Sequence, residues 1–184
     1  MPARGATTPP MSLSIRPATA DDAALLSRLG EQTYLETFVD ELKIPYSQSD
    51  LASFLPDAYG VPTIERFLAD PRYQHFIVEH EGAPVGYSLV GPNGLDHPDA
   101  QPGDGELKRI YLVRTAQGLG AGKMIWDVSI DWLERAGHRR IWLGVWSGNL
   151  KAQRFYEKNG FVKVGEYTFV VGETRDHEFI FRRD

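Results

Sequence analysis

A chain of 184 residues, 42% of them hydrophobic, offers enough apolar material for the core of one domain. It contains no cysteine and carries a net charge of −5. The first property excludes disulfides, thiolate metal ligands and a cysteine nucleophile, and the second argues against nucleic-acid binding, which needs a basic face. Because no apolar run approaches ~20 residues, we expect no membrane partner and a cytoplasmic protein. Residues 1–12 lack the hydrophobic stretch of a signal peptide and are predicted to be a flexible tail before a single domain over residues 13–184.

The first half of the chain begins with a strand and continues with helices. Residues 13–16 alternate apolar and polar side chains and are stopped by Pro17, which predicts a β-strand. Residues 19–22 then offer helix-capping side chains, and apolar residues recur three and four positions apart over residues 25–34, as in an amphipathic helix. Residues 49–68 predict one or two further helices, because proline and glycine interrupt the helical pattern.

A β-hairpin is predicted next. Residues 75–79 and 85–90 are strand-like, and the turn-forming residues 81–84 separate them. Residues 91–105 are rich in glycine, proline and aspartate, which predicts a loop. Residues 106–113 then form a third β run.

The second half of the chain mixes helices with strands. A helix is predicted over residues 124–136, ending before Gly137. It is followed by a strand at 141–146, a helix at 150–159, and closing strands at 161–171 and 178–182. Since helices join strands only in this half, a fully parallel, doubly wound sheet is not expected. The order of elements predicts an α/β (α+β) fold with a mixed sheet.

A glycine-rich turn, residues 117–123, lies between the third β run and the helix that follows it. Its three glycines let the backbone turn tightly, so that several N–H groups at the helix start point at one spot. Such a site favours a phosphate, and the side chains of Arg114 and Lys123 would add positive charge. The alternative is a glycine-rich loop that only turns a corner.

Two familiar phosphate-binding loops do not fit this turn. A Walker A loop requires a glycine where the chain has Gln117 and a serine or threonine where it has Met124. A dinucleotide-binding fingerprint that starts at Gly118 requires a third glycine where the chain has Lys123. Both kinds of nucleotide site are therefore excluded for this turn.

The spacing Gln117, Gly120 and Gly122 resembles the pyrophosphate-binding signature of the GNAT acetyltransferases. Residues 106–113 are similar to that family's fourth strand, and residues 149–161 to its second conserved block. The resemblance covers residues 15–182 and is strongest from Glu106 onward. One departure is Leu119, where many members carry a basic residue.

The resemblance implies a GNAT fold, with a mixed, mostly antiparallel central sheet of about six to seven strands flanked by helices. It implies acetyl-CoA as cosubstrate, a small-molecule amine as acceptor and direct transfer in a ternary complex, and it admits a homodimer. In the family, neighbouring strands splay apart, and the pantetheine arm pairs with the main chain in the gap. The residues that the resemblance assigns to acetyl-CoA are Tyr111, Leu112, Val113, Gln117, Gly118, Leu119, Gly120, Ala121, Gly122, Lys123, Asn149, Ala152 and Tyr156.

Two side chains are predicted to be catalytic. Tyr156 would protonate the departing coenzyme thiolate, although its place in an apolar stripe with Ala152 and Phe155 also fits a core residue. Glu106 occupies the position where several family members keep a carboxylate that removes the amine's proton, often through water; its alternative is a solvated strand-end residue. A backbone N–H of residues 112–113 would face the oxyanion.

The acceptor is suggested by the end of the chain. Residues 164–173 resemble the PaiA-type spermidine and spermine N-acetyltransferases, and Glu36, Asp40 and Glu41 would receive a polyamine's second cation or form a solvated face. Two alternatives remain: the acceptor is another amine, in an amino acid, a drug or a protein, or the chain is a sensor that binds acetyl-CoA without turnover. The five histidines are scattered, so no metal site is predicted. Trp146 is a candidate for the pocket border.

Overall fold

The computed structural model describes residues 12–184, so the predicted tail lies outside the described residues except for Ser12. The strands are β1 (Leu13–Pro17), β2 (Gln74–His80), β3 (Ala83–Pro92), β4 (Gly105–Leu112), β5 (Ile141–Trp146), β6 (Val162–Val171) and β7 (Thr174–Arg183). The helices are α1 (Ala23–Tyr34), α2 (Gln48–Tyr59), α3 (Val61–Ala69), α4 (Ala121–Arg135) and α5 (Leu150–Lys158). No helix within residues 12–184 combines the length and apolar character that crossing a bilayer requires.

The strands form one seven-stranded sheet in the order β1-β2-β3-β4-β5-β7-β6. Its neighbouring strands pair antiparallel except β4 and β5, which are parallel. The predicted mixed, mostly antiparallel sheet flanked by helices is therefore confirmed.

Two strands, β3 and β7, begin earlier than predicted, in both cases after a hairpin turn. The first turn consists of Glu81 and Gly82, whose φ angles of 52° and 78° are both left-handed, so Ala83 already belongs to β3. The final strand begins at Thr174, because a tight turn through Gly172, with a φ of 57°, brings Thr174 opposite Val171. The predicted loop is also shorter than expected, since β3 extends to Pro92.

Helices cover both faces of the sheet. Helices α4 and α5 pack on one face, against a core that includes Ile125, Leu143 and Phe181. Helices α1, α2 and α3 pack on the other face, against a core that includes Leu26 and Ile77. The two helical layers are therefore separated by the sheet.

The sheet splits in its middle, between β4 and β5. The parallel register of these strands comprises two pairs, Gly105 with Ile141 and Glu106 with Trp142. Beyond these pairs the strands diverge. A bulge also lies in β4, because Leu89 pairs with Arg109 while the adjacent Val90 pairs with Leu107, which leaves Lys108 as the extra residue. The split opens a passage from one face of the sheet to the other.

The far side of this passage is roofed by α1 and α2. Helix α1 continues into a π-helical stretch, Leu35–Glu41. Helix α2 is tied to the β6–β7 turn by the Asp50 carboxylate, which accepts hydrogen bonds from the Glu173 N–H at 2.6 Å and the Thr174 hydroxyl at 2.9 Å. The roof is thus anchored to the last hairpin of the chain.

Candidate active site

A cavity of about 690 Å³ passes through the split between β4 and β5. Its part on the α4–α5 face, here called the glycine half, is lined by Gln117, Gly122, Lys123, Asn149, Ala152, Phe155 and Tyr156. Its part on the opposite face, the aromatic half, is lined by Tyr34, Phe38, Tyr46, Phe54, Tyr59 and Phe169. The halves join where β4 leaves β5, and two ligands can therefore meet there from opposite faces.

The glycine half is built on the start of α4. Gly118 and Gly120 have φ angles of 83° and 87°, a left-handed conformation that glycine adopts readily. No side chain caps the helix, and its first internal bond is donated by the Met124 N–H to the Gly120 carbonyl at 3.2 Å. The preceding N–H groups of residues 121–123 therefore lack helical partners and point outward at the positive end of the helix dipole. This arrangement suits an anionic group.

The two cations expected beside this turn are already engaged. The Lys123 ammonium contacts the Asp127 carboxylate at 2.6 Å. The Arg114 side chain lies 3.9 Å from the Asp40 carboxylate, and its backbone N–H donates to the Glu36 carboxylate at 2.7 Å. Glu36 and Asp40 thus contact Arg114, whereas Glu41 lines the cavity.

The main chain of β4 offers a donor to the split. The Val113 N–H bonds to the Val85 carbonyl at 2.8 Å, on the β3 side. Because successive N–H groups of a strand point to opposite sides, the Leu112 N–H points toward the gap on the β5 side. The Val113 N–H is therefore already bonded, whereas the Leu112 N–H points into the gap and is oriented to donate a hydrogen bond to an oxyanion.

Tyr156 lies in the glycine half, on α5. Its ring stacks on Trp126 with centroids 5.7 Å apart. Burial, with a smaller contribution from the negative charge of Glu178, raises the pKa of the Tyr156 phenol to about 12. The phenol is therefore protonated at neutral pH and able to donate its proton.

Glu106 lies at the junction of the two halves and is buried, with 8% of its surface exposed. Its Oε2 atom accepts a hydrogen bond from the Gly94 N–H at 2.7 Å and contacts the Lys108 ammonium at 2.6 Å. The bulge in β4 carries Lys108, so the same irregularity that accompanies the split also supplies the counter-ion of Glu106.

One carboxylate in the cavity wall, that of Glu178, was not predicted. Glu178, on β7 opposite Trp146, accepts a hydrogen bond from the Tyr167 hydroxyl at 2.6 Å. Burial raises the pKa of the Glu178 carboxyl above its usual value, and the bond from Tyr167 partly opposes this effect. The sequence carries one signal for this residue: strand alternation places Glu178 on the same face as Asp176 and the buried Ile180.

The cavity brings together most of the residues predicted for the site. Those that line it are Glu106, Tyr111, Leu112, Gln117, Gly122, Lys123, Asn149, Ala152 and Tyr156. Those that lie outside its lining are Val113, Gly118, Leu119, Gly120 and Ala121.

The residues outside the lining have two kinds of environment. Val113 and Ala121 are buried in the two cores. Gly118, Leu119 and Gly120 form the exposed turn before α4.

Asn149 has a structural role that the sequence did not indicate. Its side-chain oxygen accepts a hydrogen bond from the Ala152 N–H at 3.1 Å and so caps α5. The amide nitrogen is left for other contacts. Trp146 borders the cavity as expected. Among the described residues, no group of three or more His, Cys, Asp or Glu side chains could hold a metal ion.

Comparison with known proteins identifies the family of this site. Residues 35–161 match the model of the acetyltransferase (GNAT) family. An uncharacterized N-acetyltransferase of Mycobacterium tuberculosis is 32% identical over 138 residues, which cover 73% of this chain and 81% of that protein. The spermine/spermidine N(1)-acetyltransferase of Bacillus subtilis is 26% identical over 164 residues, or 86% of this chain and 93% of that protein.

The fold has a solved counterpart. The PaiA N-acetyltransferase of Thermoplasma acidophilum, crystallised in complex with coenzyme A, superposes with a TM-score of 0.73 and 18% sequence identity. The match covers 95% of this chain and 99% of that one. It shows that the two chains share their architecture from β1 to β7.

Proposed function

This chain belongs to the GNAT acetyltransferase family, and from that membership we propose that it transfers the acetyl group of acetyl-CoA to a primary amine of a polyamine. The observation that carries the proposal is the cavity through the split sheet. It joins an uncapped helix start, suited to a pyrophosphate, to a protonated phenol and two carboxylates. The name of the Bacillus protein, a spermine/spermidine N(1)-acetyltransferase, supports a polyamine as the acceptor.

The proposed roles follow from the contacts around the cavity. The N–H groups at the start of α4 bind the pyrophosphate, and the main chain of Tyr111 and Leu112 pairs with the pantetheine arm. Acetyl-CoA supplies the thioester carbonyl, whose oxygen is stabilised by the Leu112 N–H. Once the amine is neutral, its nitrogen attacks the carbonyl carbon, the C–N bond forms and the C–S bond breaks. Tyr156 gives its proton to the departing sulfur, and the second proton that the nitrogen loses as the amide forms returns to the Tyr156 oxygen, directly or through water.

Glu106 is the proposed acceptor of the amine's proton, directly or through water. An alkyl ammonium group loses its proton only near pH ~10, so a base is needed at neutral pH. The contact with Lys108 and the N–H of Gly94 occupy Oε2 of Glu106. The other carboxylate oxygen is left to act on the amine.

Binding of acetyl-CoA is expected to stabilise the fold against heat. Acetyl-CoA and CoA at a hundred times their dissociation constants should each add ~2.7 kcal/mol to the free energy of unfolding by mass action. ATP and NAD should add little, because neither nucleotide loop fits residues 117–123. Thermal shift in the four ligands is the measurement, and a larger shift with ATP and magnesium than with acetyl-CoA would overturn the assignment of this turn.

Glu106→Gln is expected to lower turnover most at neutral pH. The amide keeps an acceptor for the Gly94 N–H but cannot take the proton of an ammonium ion. Raising the pH should restore much of the rate, because solution then supplies neutral amine. Turnover at saturating substrates from neutral to alkaline pH tests this role, and a pH-independent loss would indicate a structural role for Glu106.

The acceptor is tested by thiol release from acetyl-CoA with a panel of amines. Spermidine and spermine should release thiol faster than amino acids, aminoglycosides and lysine peptides. If one of those acceptors released thiol faster than the polyamines, its amine class would be the acceptor in place of a polyamine. Thermal stabilisation by acetyl-CoA without thiol release from any amine would instead favour the sensor.

A further inference from the structure

We propose that Glu178 binds the acceptor in its ammonium form, at the junction of the two cavity halves, and so makes cationic amines the substrate class of this site. The inference rests on the proposed function, because it concerns the acceptor of that reaction. It gives a role to a carboxylate that lies outside the two sequence motifs on which the resemblance rests, residues 106–123 and 149–161.

The charge balance of the cavity is the first reason. Glu106 has a counter-ion in Lys108, 2.6 Å away. Glu178 is buried, and within residues 12–184 it has no salt-bridge partner; its Oε2 atom is held by the neutral Tyr167 hydroxyl. Burying a carboxylate without a cation is costly. An ammonium ligand would remove that cost.

The Glu178 carboxylate lines the cavity next to Gly144, a residue of β5 that has no side chain. A Cβ atom built on Gly144 would lie 3.2 Å from Oε2 of Glu178 and would also crowd the Tyr167 hydroxyl. Gly144 itself lines the cavity. A larger residue at this position would displace the Tyr167 hydroxyl from Glu178, so the glycine gives this hydrogen-bonded pair its place in the cavity wall.

The aromatic half supplies the surroundings that a cationic amine prefers. The Tyr34 ring lies 4.6 Å from that of Phe38 and 5.0 Å from that of Phe54, measured between centroids. Ring faces attract cations, and their edges accommodate an alkyl chain.

In the part of the chain that the structure describes, no lysine, arginine or histidine forms an ion pair with Glu178. Its negative charge raises the pKa values of tyrosines on α1, β4, α5 and β6, and the carboxylate of the neighbouring Asp176 raises its own pKa further. The titratable groups around it are Tyr34, Tyr46, Glu106, Tyr111, Tyr156, Tyr167 and Asp176. Each of them is neutral or negative at neutral pH. Two cations of β4 also line the cavity, but Lys108 is paired with Glu106, and the Arg109 guanidinium lies over the Tyr59 ring, 4.4 Å from its centroid.

Glu178→Gln is the direct test, with spermidine or the best acceptor of the amine panel. The amide keeps a partner for Tyr167 and removes only the charge. We expect KM for the amine to rise roughly ten- to hundredfold, the size of a lost charge-assisted hydrogen bond, while kcat changes little. Glu178→Asp, which keeps the charge, should show a smaller rise. The matched control is Glu166→Gln, an exposed carboxylate on β6, which should behave as wild type.

Tyr167→Phe tests the inference through the pH dependence of kcat/KM, which would not change if Glu178 had only a structural role. Because the Tyr167 hydroxyl lowers the pKa of Glu178, its loss should raise that pKa. An ammonium acceptor needs ionised Glu178, so the acid limb of the kcat/KM profile should shift to higher pH in Tyr167→Phe. A wild-type KM in folded Glu178→Gln, or an unshifted acid limb in Tyr167→Phe, would overturn the inference. If the wild-type protein acetylated no amine, the proposed function itself would be wrong.

Discussion

Tyr156→Phe is expected to lower kcat by roughly 10²–10⁴-fold, the contribution of general acid–base catalysis, while leaving the dissociation constant of acetyl-CoA nearly unchanged. The substitution keeps the ring that stacks on Trp126 and deletes the hydroxyl. Its raised pKa keeps that hydroxyl protonated at neutral pH, so the wild-type group is in the form that donates. Pre-steady-state acetyl transfer measures the chemical step directly.

A second tyrosine substitution serves as the control, because it shows whether removing any tyrosine hydroxyl lowers the rate or whether the loss is specific to the proposed acid. Tyr73 packs against Phe67 outside the cavity lining, and Tyr73→Phe should be kinetically silent. If Tyr156→Phe transferred acetyl at the wild-type rate, the thiolate would be leaving without help from Tyr156, whose role would then be packing.

Gly122→Asp is expected to weaken acetyl-CoA binding by at least roughly a hundredfold without weakening the fold. A Cβ on Gly122 meets only Leu112, at 3.6 Å, which is ordinary contact, and the residue needs no left-handed backbone. The carboxylate would occupy the space of the pyrophosphate and repel it, with a loss equal to about two charge-assisted hydrogen bonds. In the free protein, an acidic side chain in the first turn of α4 should even stabilise the helix by ~0.3–1 kcal/mol.

Gly122→Asn is the control for size, since it has the shape of aspartate without the charge. It should retain much more affinity for acetyl-CoA in calorimetric titration. Unchanged affinity in Gly122→Asp, with an unchanged melting temperature, would move the pyrophosphate site away from the start of α4.

The parts of the site that could be predicted from sequence are those held in short contiguous motifs. The left-handed backbone at Gly118 and Gly120 follows from glycine spacing at a strand–helix junction. Tyr156 and Asn149 lie on a single helix and its cap, so their proximity is local. The strands that form the sheet were also predictable, because alternation and turn residues act over a few positions.

The remaining parts depend on contacts between distant segments. Glu178 reaches the cavity only because β7 inserts beside β5 and aligns it with Trp146. Glu36 was predicted to receive a substrate cation or to lie on a solvated face, and in the structure its carboxylate accepts a hydrogen bond from the backbone N–H of Arg114, 78 positions along the chain. A local pattern identifies a carboxylate and not its partner. The pairing of strands and the packing of helices decide which acidic residues face a ligand.

The split between β4 and β5 also has a consequence for how such a chain diversifies. The sheet separates the segments proposed to bind the coenzyme, at the starts of α4 and α5, from those proposed to enclose the acceptor, on α1, the π-helical stretch and α2. Substitutions in the second group can change the amine while the first group stays intact. Selection can therefore exchange one substrate for another by altering the aromatic half, without rebuilding the machinery that delivers the acetyl group.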